Sequence, residues 1–233
     1  MPIKYNDVVL WGHSYQEYIQ MFALGPEDLN KNIINCRGGP ATFNAMLSKQ
    51  GGKVISTDPL FALPFDKMKQ EIDQVFTNML KVLKKYQDRF VWKTVTSPDE
   101  LAKRRYQDIK DFLQDFPEGK KAGRYQGYRI TELPYAHDSF DLALCSHYLF
   151  SNCPDQSMEY HVKVIEKMAY IAKEVRIFPL LDSQGEIPEL VGPVIQKLHE
   201  TEHGVEIKAV PYEFQQKGNA MLKVWLQVCE VKS

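Results

Sequence analysis

The chain lacks the marks of a membrane, secreted or strongly charged protein. None of its apolar runs approaches the ~20 residues of a membrane span, so no membrane helix is expected. Net charge is nearly absent: Lys+Arg 29 against Asp+Glu 30 leaves −1, so no overall field favours nucleic acid or an anionic membrane. Its four cysteines, Cys36, Cys145, Cys153 and Cys229, form no C-x-x-C pair, which argues against a zinc ribbon or a dithiol redox centre. Two fall in expected buried strands, and reduced thiols in a cytoplasm fit that pattern. Residues Met1 to Leu10 include Lys4 and Asp7 and lack the apolar core of a signal peptide, so a cytoplasmic location is expected. Internal repeats and low-complexity tracts are also missing.

What is present is a globular composition, 44% hydrophobic and 25% charged over 233 residues, enough for one well-buried α/β domain carrying an insertion. Ser14-Tyr15-Gln16-Glu17 is a capping box that predicts a helix over Tyr15–Ala23 before Gly25-Pro26. Strands are predicted at Ile33–Cys36 and Val54–Thr57, with a helix over Ala41–Gln50 between them. Apolar residues at helical spacing mark Asp66–Gln87, and Ser97-Pro98-Asp99-Glu100 opens a further helix that turns Leu101, Ile109, Phe112, Leu113 and Phe116 inward. The region Phe61–Arg124 exceeds one crossover, so one helix should cross over while the other caps the strand ends; the sequence leaves open which. Its basic residues, among them Lys84, Arg104, Arg105 and Lys120, read as solvated faces. Strands follow at Arg124–Ile130, Phe140–Ser146 and Glu174–Leu180, with helices at Met158–Lys173 and Pro188–His203. Val205–Val210 and Met221–Cys229 form a terminal hairpin. The expected fold is α/β and Rossmann-like: a seven-stranded, mostly parallel sheet with an antiparallel C-terminal strand and a helical insertion.

The most informative stretch is I-I-N-C-R-G-G-P-A-T-F, Ile33 to Phe43, followed at Val54 by V-I-S-T-D-P. It reads as a strand, a glycine turn and a second strand ending on an acid. Asp58 lies 23 residues after Asn35, near the spacing at which an acid reaches the ribose hydroxyls of a nucleotide lying across the turn. The plainer alternative is an ordinary strand–helix connection.

Together with L-P-Y-A-H-D-S-F-D-L-A-L-C-S-H, Leu133 to His147, these motifs resemble the class I S-adenosylmethionine-dependent methyltransferases, over most of the chain from Ile33 onward. C-S-H-Y-L-F, E-V-R-I-F-P-L-L and Y-E-F-Q-Q-K-G-N resemble a bacterial branch of that superfamily. The resemblance implies S-adenosylmethionine as cofactor and direct methyl transfer to a small molecule or exposed side chain, without a metal. The turn from Cys36 through Gly38 and Gly39 to Pro40 would bring backbone N–H groups and a helix start to the methionine carboxylate. Asp58 would accept from both ribose hydroxyls, Pro59 and Leu60 would flank adenine, and Arg129 and Ile130 would close its other side. Ser146 and His147 end the fourth strand, where open α/β sheets hold ligands.

Two departures stand out. In the first motif Asn35 replaces the family's usual acid and Arg37 its first glycine, and the family's common acid after the third strand is missing, with Arg129 near its place. Asn35 keeps a hydrogen-bond acceptor for the cofactor's amino group, and Arg37 either clamps the methionine carboxylate or obstructs the pocket. They support an alternative: a catalytically silent relative binding a nucleotide-like ligand or a partner protein. His147 is the candidate base or orienting group, because an unperturbed imidazole titrates near neutrality; structural packing is its alternative. Tyr148, Tyr160 and His161 are secondary candidates. Trp11, His13, Tyr15 and Tyr18 either wall the acceptor pocket or form a packing face. His199-Glu200-Thr201-Glu202-His203 matches H-E-x-x-H, a zinc motif when helical. Gly204 follows at once, however, and His203 is expected at an exposed helix end beside the negative dipole.

Overall fold

β-Branched and apolar runs between polar turns build the centre of the molecule, seen in a computed structural model that describes residues 11–151, 156–182 and 184–227. Cys153, Cys229 and the segment Met1–Leu10 lie outside the described residues. Seven strands form one sheet: β1 (Asn32–Cys36), β2 (Lys53–Thr57), β3 (Tyr125–Gln126), β4 (Phe140–Ser146), β5 (Ala172–Phe178), β6 (His203–Ala209) and β7 (Ala220–Leu226). Their order is β3-β2-β1-β4-β5-β7-β6, with β7 antiparallel to both neighbours and every other pairing parallel. This is the Rossmann-like sheet expected from sequence, with its topological switch between β1 and β4.

Helices α1 (Tyr15–Met21), α2 (Pro26–Leu29), α3 (Phe43–Lys49), α4 (Phe65–Lys85), α5 (Pro98–Lys121), α6 (Met158–Ile171) and α7 (Val191–Glu200) complete the fold. Apolar side chains alternate along the strands, so each sheet face acquires its own core. Ile34, Cys36, Ala143 and Cys145 pack beneath α6 and α7, while Ile33, Leu142 and Leu144 pack with α1 and α3. Central β4 is buried on both faces, as parallel strands require. Cys36 and Cys145 are buried and in register on β1 and β4, as strand cysteines were expected to be.

The Ser14 box holds as read, with Ser14 Oγ accepting from Glu17 N and Glu17 accepting from Ser14 N at 2.8 Å. In the long region between β2 and β3, α5 packs on α3 and β3 and so makes the crossover; α4 lies against α5. Pro117 sits inside α5 without ending it.

Several element boundaries differ from expectation, three of them beside the candidate site or the histidine motif. β3 is two residues long rather than a strand from Arg124 to Ile130. Its partner β2 ends where Asp58 enters a 3-10 turn over Pro59–Ala62, and proline has no N–H to extend the ladder. α3 opens at Phe43 rather than Ala41, because the Thr42 N–H is taken by His13 O and Thr42 Oγ1 accepts from Tyr15 N. α7 ends at Glu200, and His203 starts β6.

Candidate cofactor cleft and acceptor slot

The chain leaves β1 with Arg37 in the left-handed region at φ 56°, an arrangement that costs a non-glycine residue about 1–3 kcal/mol and persists where the surroundings enforce it. What enforces it is Asp58. Its carboxylate closes β2, is almost wholly buried, and accepts from Leu60 N at 2.9 Å, from Gly39 N at 3.4 Å and from Arg37 Nη1 at 3.2 Å. Burial pushes the Asp58 carboxyl upward, opposed by the Arg37 charge and the two backbone donors. The Arg37 guanidinium also lies 4.5 Å from the Tyr148 ring centroid, and its Nε is buried without a hydrogen-bond partner. Gly38 is required here by close approach: a Cβ would stand 2.5 Å from Asn35 Nδ2.

The structure brings together Cys36, Arg37, Gly38, Gly39, Pro40 and Asp58. Asn35 sits beneath the turn, its Oδ1 accepting from Tyr18 O–H at 3.3 Å and its Nδ2 3.5 Å from Ser56 Oγ. Leu60 and Ile130 are buried, Leu60 beside Phe61 and Met68 and Ile130 in the core under α6, whereas Arg129 is exposed.

Across the switch point, Ser146 ends β4, and its Oγ pairs with His147 Nδ1 at 2.8 Å. His147 takes φ 49° while its N–H donates to Phe178 O at 2.6 Å, which ties the ends of β4 and β5. Its ring stacks on His13, centroids 4.3 Å apart. Desolvation, then the nearby Arg105 charge, lowers His147 to about 3; desolvation, then His147 and Arg105, lowers His13 well below the ordinary imidazole range. The sequence argument for His147 as a base used an unperturbed imidazole. Burial alters that chemistry: both rings are neutral at physiological pH, suited to hydrogen bonding and poorly suited to holding a proton.

Trp11, His13, His147, Phe178, Pro179 and Tyr212 are among the residues lining a narrow slot of about 50 Å³ at these strand ends. A wider groove of about 610 Å³, among Glu27, Asp141, Lys173 and Lys223, lies at the opposite end of the sheet, away from the strand ends that hold ligands in such folds. Tyr15 and Tyr18 stack on Phe43 and form packing, not slot wall. The Tyr148 and Tyr160 hydroxyls lie 3.0 Å apart, and His161 is buried between Ser157 O and Leu149 O.

Behind the slot is a network the sequence reading did not find. Arg105 is 1% exposed and forms a two-pronged ion pair with Glu17, donates to Gly12 O at 2.8 Å and lies over Trp11, while Tyr212 O–H donates to Glu17 at 2.9 Å. Arg105 is therefore not part of a solvated face. The signal was its place in the stripe Leu101, Arg105, Ile109, Phe112, Phe116, whose spacing puts all five on one side of a helix.

The H-E-x-x-H match dissolves. His203 is 6% exposed, lies in β6 rather than at an exposed helix end, and pairs with Thr201 Oγ1, while His199 is exposed on α7. Among the described residues no cluster of three or more His, Cys, Asp or Glu side chains is arranged to hold a metal, and no helix is long and apolar enough to cross a membrane.

No family model matches the chain. It is similar to "Uncharacterized protein MJ0045" of Methanocaldococcus jannaschii, with 27% identity over 221 residues, 94% of this chain and 97% of that protein. That relative is archaeal, whereas the sequence motifs resemble a bacterial branch. Among solved structures the chain is similar to magnesium protoporphyrin IX methyltransferase (ChlM) from Synechocystis PCC 6803 with bound SAM, at 9% identity and TM-score 0.46 over 86% of this chain and 73% of that one. The bifunctional kinase-methyltransferase WbdD gives 10% identity and TM-score 0.48 over 91% and 38%. The O-methyltransferase NcsB1 from neocarzinostatin biosynthesis, in complex with S-adenosyl-L-homocysteine, gives 12% and 0.41 over 84% and 49%. The chain thus spans less than half of the latter two chains. Strand order, not these likenesses, defines the fold.

Proposed function

We propose that the protein binds S-adenosylmethionine between the Arg37–Pro40 turn and Asp58 and catalyses methyl transfer to a compact acceptor held in the slot beside His147. The observation that carries this is Asp58: a buried carboxylate at the end of β2, one oxygen 3.4 Å from Gly39 N on the turn beyond β1, in a sheet that switches direction beside that turn. The residues fit the cofactor in kind. Asp58 offers acceptors to a ribose diol, and the unpartnered Arg37 Nε offers a donor to a carboxylate. When bound, the cofactor supplies a methyl group already activated on a sulfonium.

The chain's own residues then have little covalent work. The slot aligns the acceptor and excludes water, which supplies the orientational part of the rate. His147, neutral and anchored by Ser146, orients the acceptor rather than removing its proton. An acceptor arriving with its nucleophilic lone pair available suits such a site. The narrowness and apolar walls of the slot favour a small molecule over an exposed protein side chain.

The experiment is thermal unfolding with S-adenosylhomocysteine. Ligand at about a hundred times its Kd is expected to stabilise the native protein by about 2.7 kcal/mol. Asp58→Ala should bind on the order of a hundredfold more weakly, the loss of one or two hydrogen bonds to a charged group. No stabilisation at millimolar ligand would remove the cofactor from this cleft. A second reading is favoured by one observation, the Arg37–Asp58 pair at 3.2 Å: a silent scaffold whose sugar-binding acid is permanently held by its own arginine. It predicts no stabilisation of the native protein, and stabilisation only when Arg37→Gln releases Asp58.

A further inference from the structure

Arg37 stands between two demands that one ligand can satisfy together. Its guanidinium holds Asp58 at 3.2 Å, the only side-chain donor to that carboxylate among the described residues, and rests over Tyr148 at 4.5 Å. Its Nε is already buried and unpartnered. A ribose diol reaching Asp58 must displace the guanidinium, whose side chain is only 18% exposed, and a mostly covered guanidinium that loses its anion is destabilised. A nucleoside alone therefore gains the Asp58 contacts and loses the ion pair. A nucleoside that also carries a carboxylate replaces both partners: the diol takes Asp58, and the carboxylate takes the released guanidinium. The Tyr148 ring supports this exchange, because attraction between a cation and a ring face has no single required direction in the ring plane.

Resting on the cofactor reading above, we propose that Arg37 is a specificity-determining residue that makes the cleft select nucleosides bearing an anionic arm, by exchanging Asp58 for that arm on binding. The mechanism differs from a plain carboxylate clamp, which would leave Asp58 free in the empty protein. It also differs from a plain plug, which would oppose every nucleoside equally.

Calorimetric titration of two probes separates these mechanisms: S-adenosylhomocysteine, and 5′-methylthioadenosine, which keeps the adenosine and sulfur but lacks the amino-acid arm. The native protein is expected to prefer the first by a hundredfold or more. In Arg37→Gln the two affinities should move in opposite directions, S-adenosylhomocysteine weakening about tenfold and 5′-methylthioadenosine tightening severalfold. Arg37→Lys, which keeps the charge but not the planar fork, should fall between; thermal melts of both variants establish that they fold. Unchanged 5′-methylthioadenosine affinity in Arg37→Gln means a simple clamp and overturns the exchange. Equal tightening of both probes means a simple plug and overturns it as well. If neither probe binds the native protein or Arg37→Gln, the cofactor reading and this inference fall together; binding of S-adenosylhomocysteine with an unchanged preference removes only the inference.

Discussion

At the level of single residues, His13 and His147 show how burial rewrites a side chain's chemistry. Two imidazoles stacked at 4.3 Å beside a buried arginine cannot readily take up protons. In the unfolded chain each would titrate near 6.5, whereas folded His147 resists until about 3. Between those values the unfolded state binds more protons, so stability rises with pH and is lost as pH falls from 6.5 toward 3. For His147 alone the loss at pH 5 is about 2 kcal/mol. Urea unfolding between pH 7 and 5 should show a falling midpoint, with a shallower fall in His147→Gln; parallel slopes would contradict the neutral buried imidazole. His147 could be picked out in the sequence as the residue that follows β4. Its lowered pKa could not, because the desolvation comes from Phe178, Tyr212 and other residues remote in the chain.

Among secondary-structure elements, the junction of α1 and α5 is the most consequential. Glu17 serves twice: it closes the capping box of α1 and pairs with Arg105 from α5. Glu17→Gln leaves Arg105 buried without a counter-charge, and a loss of about 3–5 kcal/mol in urea unfolding is expected. Adding Arg105→Met should recover much of that loss, since a buried ion pair replaced by apolar packing is often neutral. A loss below 1 kcal/mol for Glu17→Gln would show the pair to be solvated. The capping box was legible because its partners are three residues apart. The ion pair was not, since its partners are 88 residues apart and meet only once the tertiary fold brings Arg105 of α5 to Glu17 of α1. The short β3 was overread for a related reason: apolar alternation continues through Tyr128 and Ile130, but the neighbouring strand stops at Asp58.

On the scale of the whole molecule, charge and topology set the partners. With net charge −1 there is no global field to favour nucleic acid. The protein is expected to pass through immobilised heparin at about 0.15 M salt, where surface charges are screened beyond about 8 Å. Retention there would point to a local basic patch stronger than the overall balance implies. The strand order places the end of β2, the β1 turn and the end of β4 side by side, which brings Asp58 and His147 to the carboxyl ends of neighbouring strands although they are far apart in sequence.

The linear sequence determined the elements and the class of fold, because hydrophobic period, capping boxes and glycine turns are local and act within a few residues. It also marked Asn35, Arg37, Asp58 and His147 as the positions to watch. Only the tertiary structure decided what they do: that Arg37 is held by Asp58, that Asn35 is bonded to Tyr18, and that His147 is stacked and neutral. Those outcomes depend on electrostatics and desolvation in three dimensions, where the distances that matter are a few ångströms between residues that the chain itself keeps apart.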